Sequence, residues 1–339
     1  MMQQLLCKIL MVSISLSLFA QSSEMPTLSL PEQEIAEPSE SLPLGEVALG
    51  ESIQASPISL SFPEPANTAP PLMKKTKSPT IAVLLSGLVP GMGHYYLGEP
   101  RIATEILGGS LLGGASAYVT RNDPSLFTTS LYTIQAVSSY GIYAAYRDAN
   151  LYNGDALPSM PREDFKNLSA APFQWSVLKK PEVWGACLGA LAVGTTVVYF
   201  AFPKEAVSAR IETTYIEPLS ALPIAISEEC LFRGFLQTAL TEKLPPWGAI
   251  TLSSLAFGAA HIPNAQQLEK PHQWRYYTFS LPLITGLGAY MGWLTYKNRS
   301  LKESVALHTW YDFTLMSAGI LASKAAIGGR AQFSHTWEF

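Results

Sequence analysis

Three short apolar stretches near the C-terminus carry ionisable side chains that could perform hydrolysis. They hold, in chain order, Glu228, Glu229 and Arg233, then His261, then His308 and Asp312. A charged side chain at membrane depth costs about 2.5 kcal/mol or more, so such groups face one another or a wet cavity. Carboxylates and imidazoles together can activate a water and stabilise the charge that develops on a substrate. The three stretches therefore predict one hydrolytic centre.

The spacing in the first stretch separates its two glutamates. Glu229 and Arg233 are four residues apart with the acid first, the better orientation for a pair on one helix face. Glu228 points about 100° away and lacks that partner, so burial favours it as the general base. The prediction is a structural Glu229 and a reactive Glu228. In the alternative, both glutamates lie among lipid headgroups and only stabilise a helix end.

The sequence around His308 indicates a functional role more strongly than the sequence around His261. His261 ends an apolar segment just before Pro263, where an interfacial or packed histidine is the simpler interpretation. His308 and Asp312 are four residues apart and share a helix face, which suits two metal ligands or an oriented imidazole. Cys7, Cys187 and Cys230 lie in apolar segments and provide neither a disulfide framework nor a metal-binding spacing. Cys230, beside the glutamates, is predicted to be a small buried side chain, with a nucleophile as the alternative.

In order, the patterns EExxxR, FxxxH and HxxxD resemble the CPBP family, the CAAX-protease and bacteriocin-processing (Abi) group with the type II CAAX prenyl endopeptidases. The resemblance covers residues 184–323. It implies Glu228 as the base that activates water with His261 beside it, His308 and Asp312 at the oxyanion, and Glu229 and Arg233 in support. The family has Asn or Asp at position 312, and an Asp must be protonated or metal-bound to serve there. One divalent, zinc-like ion on Glu228, His261 and His308 and a metal-free glutamate base both fit this resemblance.

The composition predicts the elements that hold these residues. Apolar residues make up 48% of the chain and charged residues 14%, against roughly 25% charged in soluble proteins. We expect an all-α, polytopic transmembrane bundle of about seven to eight membrane segments. Seven helical spans are expected at residues 102–120, 125–146, 184–203, 213–240, 247–262, 276–296 and 301–323. Gly286, Gly288 and Gly292 are expected to be ordinary packing glycines.

The rest of the chain divides by composition. Residues 1–20 resemble a signal peptide, with an uncleaved anchor as the alternative, and residues 21–73 form a disordered acidic tail with eight glutamates and nine prolines. Residues 74–146 are predicted to be an N-terminal membrane module, 147–183 a polar connector, 184–323 the protease core and 324–339 a tail. Pro90 to Gly93 interrupts an apolar run, and its surroundings are similar to a PGxGxxY signature of small bacterial membrane modules. His94 in that signature is expected at the membrane interface.

These observations predict a CAAX-processing-like intramembrane endopeptidase in a bacterial inner membrane. Its partners would be the lipid bilayer and a peptide or protein substrate, and no basic stripe with aromatics indicates nucleic acid. One alternative is a non-catalytic membrane scaffold that retains the fold. Another is a transporter, although no second copy of the three segments is present, as its repeats would require.

Overall fold

The computed structural model describes residues 76–155, 157, 159–201, 218–267 and 270–328. This part of the chain is helical and contains no strand, which confirms the predicted α class. Among these residues, no helix combines the length and the apolar character that crossing a membrane requires. The predicted transmembrane bundle stays a prediction. The predicted signal peptide, acidic tail and the end of the C-terminal tail lie outside the described residues.

The first four helices form the N-terminal module. They are α1 (Pro79–Leu88), α2 (Met92–Leu97), α3 (Pro100–Val119) and α4 (Pro124–Asn153). Three of them begin with proline, whose fixed φ and missing N–H suit the first helical position. The Asp123 carboxylate caps α4 by accepting from the N–H groups of Ser125 and Leu126. Helix α4 packs against both α1 and α3 and is the centre of this module.

The predicted interruption at Pro90 is confirmed. Helix α1 ends at Leu88, and Gly91 then takes a left-handed φ of 89° before α2 begins. A Cβ on Gly91 would lie 2.3 Å from the Ala103 carbonyl oxygen, so only glycine allows α3 to approach this turn. The apolar run therefore folds as two short helices at an angle rather than as one straight helix.

His94, which is predicted to lie at the membrane interface, is completely buried among protein side chains. Its Nε2–H donates to Asp148 at 3.1 Å, and Arg147 donates to the same carboxylate at 2.7 and 2.9 Å. Burial alone would raise the pKa of Asp148, but the hydrogen bonds from His94 and Arg147 outweigh it and hold that pKa below its ordinary value. These pairs also explain why α4 continues to Asn153, past the predicted end at residue 146: its polar last turns are packed rather than solvated.

The connector contains short helical pieces. They are α5 (Phe165–Ala170), a 3₁₀ turn (Ala171–Phe173) and α6 (Trp175–Leu178). Glu163, just before α5, uses its carboxylate to accept from the N–H of Leu301, and its carbonyl accepts from Arg147. Lys180 donates to Glu303 at 2.5 Å. The connector therefore holds the start of the last helix, which carries two of the predicted site residues.

The C-terminal part contains the helices of the predicted protease core. They are α7 (Pro181–Ala201), a 3₁₀ turn (Pro218–Ser220), α8 (Ala221–Glu229), a π-helical stretch (Cys230–Gln237), α9 (Thr238–Thr241), α10 (Pro246–Ala260), a 3₁₀ stretch (Ile262–Gln267), α11 (Lys270–Arg275), a second π-helical stretch (Tyr276–Ser280), α12 (Leu281–Asn298) and α13 (Lys302–Gly328). The predicted spans coincide with these elements wherever they are described.

Two contacts define the packing of this part. Helix α8 lies between α4 and α13, while α10 packs along α12. Cys187 and Cys230 are buried free thiols within the two largest apolar clusters of the described residues, which confirms the burial predicted for Cys230. The core is thus built around α8 and α13, the two helices with most of the predicted site residues.

Candidate active site

The structure brings all six predicted side chains into one buried cluster. Helix α8 supplies Glu228 and Glu229, the π-helical stretch supplies Arg233, the end of α10 supplies His261, and α13 supplies His308 and Asp312. None of the six is more than 7% exposed. They come from stretches far apart in sequence, so their meeting is a property of the fold and not of the local chain.

Glu229 is the most strongly bound carboxylate of the cluster. Its Oε1 accepts from Nη1 of Arg233 at 2.9 Å and from Nδ1 of His308 at 2.9 Å. Arg233 also donates from Nη2 to the Gly288 carbonyl at 3.1 Å, and its guanidinium lies 4.2 Å from the centre of the Phe257 ring. The predicted pair on one helix face is present. The bond to His308 is not visible in the sequence, because it joins α8 to α13.

Glu228, unlike Glu229, lies beyond direct hydrogen-bond distance of the two histidines. Its Oε2 lies 3.7 Å from Nε2 of His308 and 3.9 Å from Nε2 of His261. Both distances exceed that of a direct hydrogen bond and are typical of groups that a water can bridge. Glu228 therefore faces two imidazoles without being fixed by either.

Each histidine ring is held in its orientation by a hydrogen bond at Nδ1. Nδ1 of His261 donates to the Phe257 carbonyl at 2.8 Å, and the Tyr276 hydroxyl donates to the His261 carbonyl at 2.9 Å. Because a carbonyl oxygen only accepts, the proton on His261 lies at Nδ1 and its Nε2 faces Glu228. His308 is held by Glu229 at Nδ1, and its Nε2 lies 3.3 Å from Oδ2 of Asp312. Each ring thus turns one fixed nitrogen toward the centre of the cluster.

A small cavity opens at the imidazole side of this cluster. The volume within which the centre of a water molecule can move is about 10 Å³, which is close to the minimum needed to hold one water. Its polar wall contains His261, His308 and Asp312. Its apolar wall is formed mainly by one face of α12, with Leu283, Ile284, Leu287 and Met291. The apolar wall was missed from the sequence, because its residues repeat at the ordinary helical period of a packed core.

In the described part of the chain, no three His, Cys, Asp or Glu side chains form a group that could hold a metal ion. The zinc-like ion predicted on Glu228, His261 and His308 remains a prediction, and the chemistry below uses the side chains alone.

Part of the chain is similar to a known protein family. Residues 213–314 match a family model described as Rce1-like, type II CAAX prenyl endopeptidase. The match includes all three motifs and confirms the family resemblance predicted from them. No curated protein matches the chain, and no solved structure matches it.

Proposed function

We propose that this chain is an endopeptidase that hydrolyses peptide bonds of membrane-associated substrates. The proposal is supported by the family match, whose description names a CAAX prenyl endopeptidase. The observation that carries it is the position of Glu228, which is buried and faces two imidazoles at 3.7 and 3.9 Å, and these imidazoles line a cavity with room for about one water.

In the proposed reaction, Glu228 takes a proton from a water beside it while the water oxygen attacks the carbonyl carbon of the scissile bond. His261 accepts the other hydrogen bond of that water through Nε2, which orients the lone pair. Glu228 then delivers its proton to the leaving nitrogen as the carbon–nitrogen bond breaks. One carboxylate thus serves in turn as base and acid, which requires a side chain not tied into a permanent ion pair.

The negative charge on the substrate oxygen needs a hydrogen-bond donor. The site holds three carboxylates and one guanidinium, so an additional proton on His308 would offset part of the excess negative charge. His308 would then donate to Glu229 through Nδ1 and present Nε2–H near Asp312 and the substrate oxygen. Donors of this kind are worth about 100-fold to 1,000-fold in rate. Asp312 either orients that imidazole or donates in its protonated form.

The test is a cleavage assay on the full chain in detergent micelles. The substrates are a farnesylated peptide ending in Cys-aliphatic-aliphatic-Ser and the same peptide without the lipid, with the released fragment measured by mass spectrometry. Glu228→Gln should abolish cleavage and leave the unfolding midpoint near that of the wild type, because Glu228 makes no strong ion pair. Glu105→Gln, at an exposed carboxylate, is the control.

Cleavage by Glu228→Gln at the wild-type rate would remove Glu228 from the mechanism. A wild-type protein that binds either peptide without cutting it would instead favour the scaffold. Cleavage of both peptides alike would show that recognition does not depend on the prenyl group.

A further inference from the structure

Two side chains of the first π-helical stretch donate hydrogen bonds to backbone carbonyls of α12. Arg233 donates to the carbonyl of Gly288 at 3.1 Å, and Gln237 donates from Nε2 to the carbonyl of Gly292 at 2.9 Å. The donors are four residues apart and so are the acceptors. Arg233 belongs to the motif described above, whereas Gln237 has no role in the proposed chemistry.

The two glycines make room for these side chains. A Cβ on Gly292 would lie 2.5 Å from Oε1 of Gln237, and a Cβ on Gly288 would lie 3.0 Å from Nη2 of Arg233. A Cβ on Gly286, on the same helix, would meet nothing within 4 Å. Gly288 and Gly292 therefore form two slots in α12 that receive one polar side chain each, a more specific role than the general helix packing predicted from the sequence.

Gln237 also contacts α10. Its Oε1 accepts from the Ser253 hydroxyl at 3.3 Å, and that hydroxyl also lies 3.0 Å from the Ile250 carbonyl of its own helix. Gln237 is 3% exposed, so its bonds to the two helices are shielded from water. One amide thus links three elements: the π-helical stretch, α10 and α12.

The contact between Gln237 and Ser253 lies within a helical hairpin that also carries Glu228 and His261. Residues 221–241 and α10 are joined by a short turn, and Gln237 meets Ser253 toward that closed end. Glu228 precedes Gln237 by nine residues and His261 follows Ser253 by eight, so both lie roughly 12 Å further along the hairpin. A slip of one helical turn would displace Glu228 from His261 by about 5.4 Å. The amide link therefore sets the register at which the base meets its imidazole.

We propose that Gln237 is a positioning residue for the proposed hydrolysis. It fixes the register of Glu228 against His261 through its bonds to Ser253 and Gly292. This inference rests on the proposed function for its effect on rate, whereas its effect on helix register stands independently. π-helical stretches are rare and occur frequently at functional sites. The bonds from Gln237 to α10 and α12 would hold this stretch in one position relative to those helices.

The test compares Gln237→Met and Ser253→Ala in the full chain with a matched control on the neighbouring residue. Met keeps the length of Gln but cannot bond to either helix. The control is Ser254→Ala, because Ser254 is also almost completely buried and, within the described part of the chain, its hydroxyl donates to the Ile250 carbonyl of its own helix at 2.7 Å and not to another helix. Ser253→Thr is the conservative variant that keeps the hydroxyl.

Two readouts are used. On the farnesylated peptide, Gln237→Met should lower kcat about 100-fold with KM within about twofold, because misplacement of a reacting group by about 1 Å costs that much. Ser253→Ala should lower kcat by a smaller factor, Ser253→Thr should restore it, and Ser254→Ala should match the wild type. By hydrogen exchange, the amides of residues 257–261 should exchange faster in Gln237→Met and Ser253→Ala only.

Wild-type kcat in Gln237→Met and Ser253→Ala would overturn the proposal. Equal losses in Ser253→Ala and Ser254→Ala would do the same, because both would then reflect a general packing defect. If the wild type cleaves neither peptide, the proposed function fails, and the exchange rates alone decide the register role. Unchanged exchange at residues 257–261 in both variants would then refute it. If Gln237→Met does not fold, the serine variants give the same decision.

Discussion

Removal of the Glu229 carboxylate should damage folding as well as catalysis. In Glu229→Ala, the completely buried Arg233 loses its ion-pair partner and keeps its hydrogen bond to the Gly288 carbonyl and its contact with the face of Phe257. His308 loses the oxygen that holds its Nδ1. The first loss leaves an uncompensated charge in the core, and the second frees an imidazole of the candidate active site.

The cost follows from the geometry of the pair. Breaking a buried ion pair by removing one partner costs about 3–5 kcal/mol, most of it for the charge left behind. For a folded unit of about 250 residues, that corresponds to a fall of roughly 6–20 °C in the unfolding midpoint. Glu228→Ala is the matched comparison at the adjacent position. Because Glu228 has no ion-pair partner closer than 3.7 Å among the residues that the structure describes, its removal should shift the midpoint by far less.

Thermal unfolding of the full chain, followed by circular dichroism in one detergent, measures both shifts. The double variant Glu229→Ala/Arg233→Met removes the stranded charge, so it should recover most of the lost stability while cleavage stays absent. A stable but inactive Glu229→Ala would refute the assignment of Glu229 as a structural residue. An equal loss of stability in Glu228→Ala would refute the division of the pair.

Three further results are expected. Asp312→Asn should keep the cleavage rate within about tenfold of the wild type, because the amide can still donate a hydrogen bond. Asp312→Ala cannot donate and should lose about 100-fold. Equal losses in the two variants would exclude a donor or orienting role for Asp312. Dialysis against a chelator should leave cleavage unchanged, and a loss that zinc restores would establish the metal alternative. Asp148→Asn should lower stability by about 2 kcal/mol at pH 7. Since the folded-state pKa of Asp148 lies below its ordinary value, its contribution is present above about pH 4 and is lost as the pH falls further. Unfolding of both proteins at pH 7 and pH 3 checks this, and a constant difference would contradict it.

Much of the helical framework could be predicted from the sequence. The apolar runs were bounded by prolines and polar turns, and each overlaps a helix or a series of helical segments in the described regions. Contacts within one helix were also predictable, because residues four apart share a face: the Glu229–Arg233 pair is present at 2.9 Å and the His308–Asp312 contact at 3.3 Å. These predictions needed only the period of an α-helix.

Contacts between helices were not predictable in the same way. The bond from His308 to Glu229, the pair of His94 with Asp148 and the reach of Gln237 to Gly292 depend on how each helix is rotated about its axis. Hydrophobic period fixes that rotation only to within a broad face, and it carries no information on which polar atoms meet. The change to π-helical geometry after Glu229 shifts the rotation again, without a sequence pattern that marks it.

The π-helical stretch also constrains the length of this segment during evolution. A π-helical stretch, with its i→i+5 hydrogen bonds, holds more residues per turn than an α-helix, so deleting one residue between Cys230 and Gln237 would return this stretch toward α-helical geometry and change which of its side chains face α12. Glu228 and Glu229, upstream of the deletion, would keep their place. Relatives with a shorter segment here should therefore lack the polar residue that fills the Gly292 slot and have a larger residue in place of that glycine.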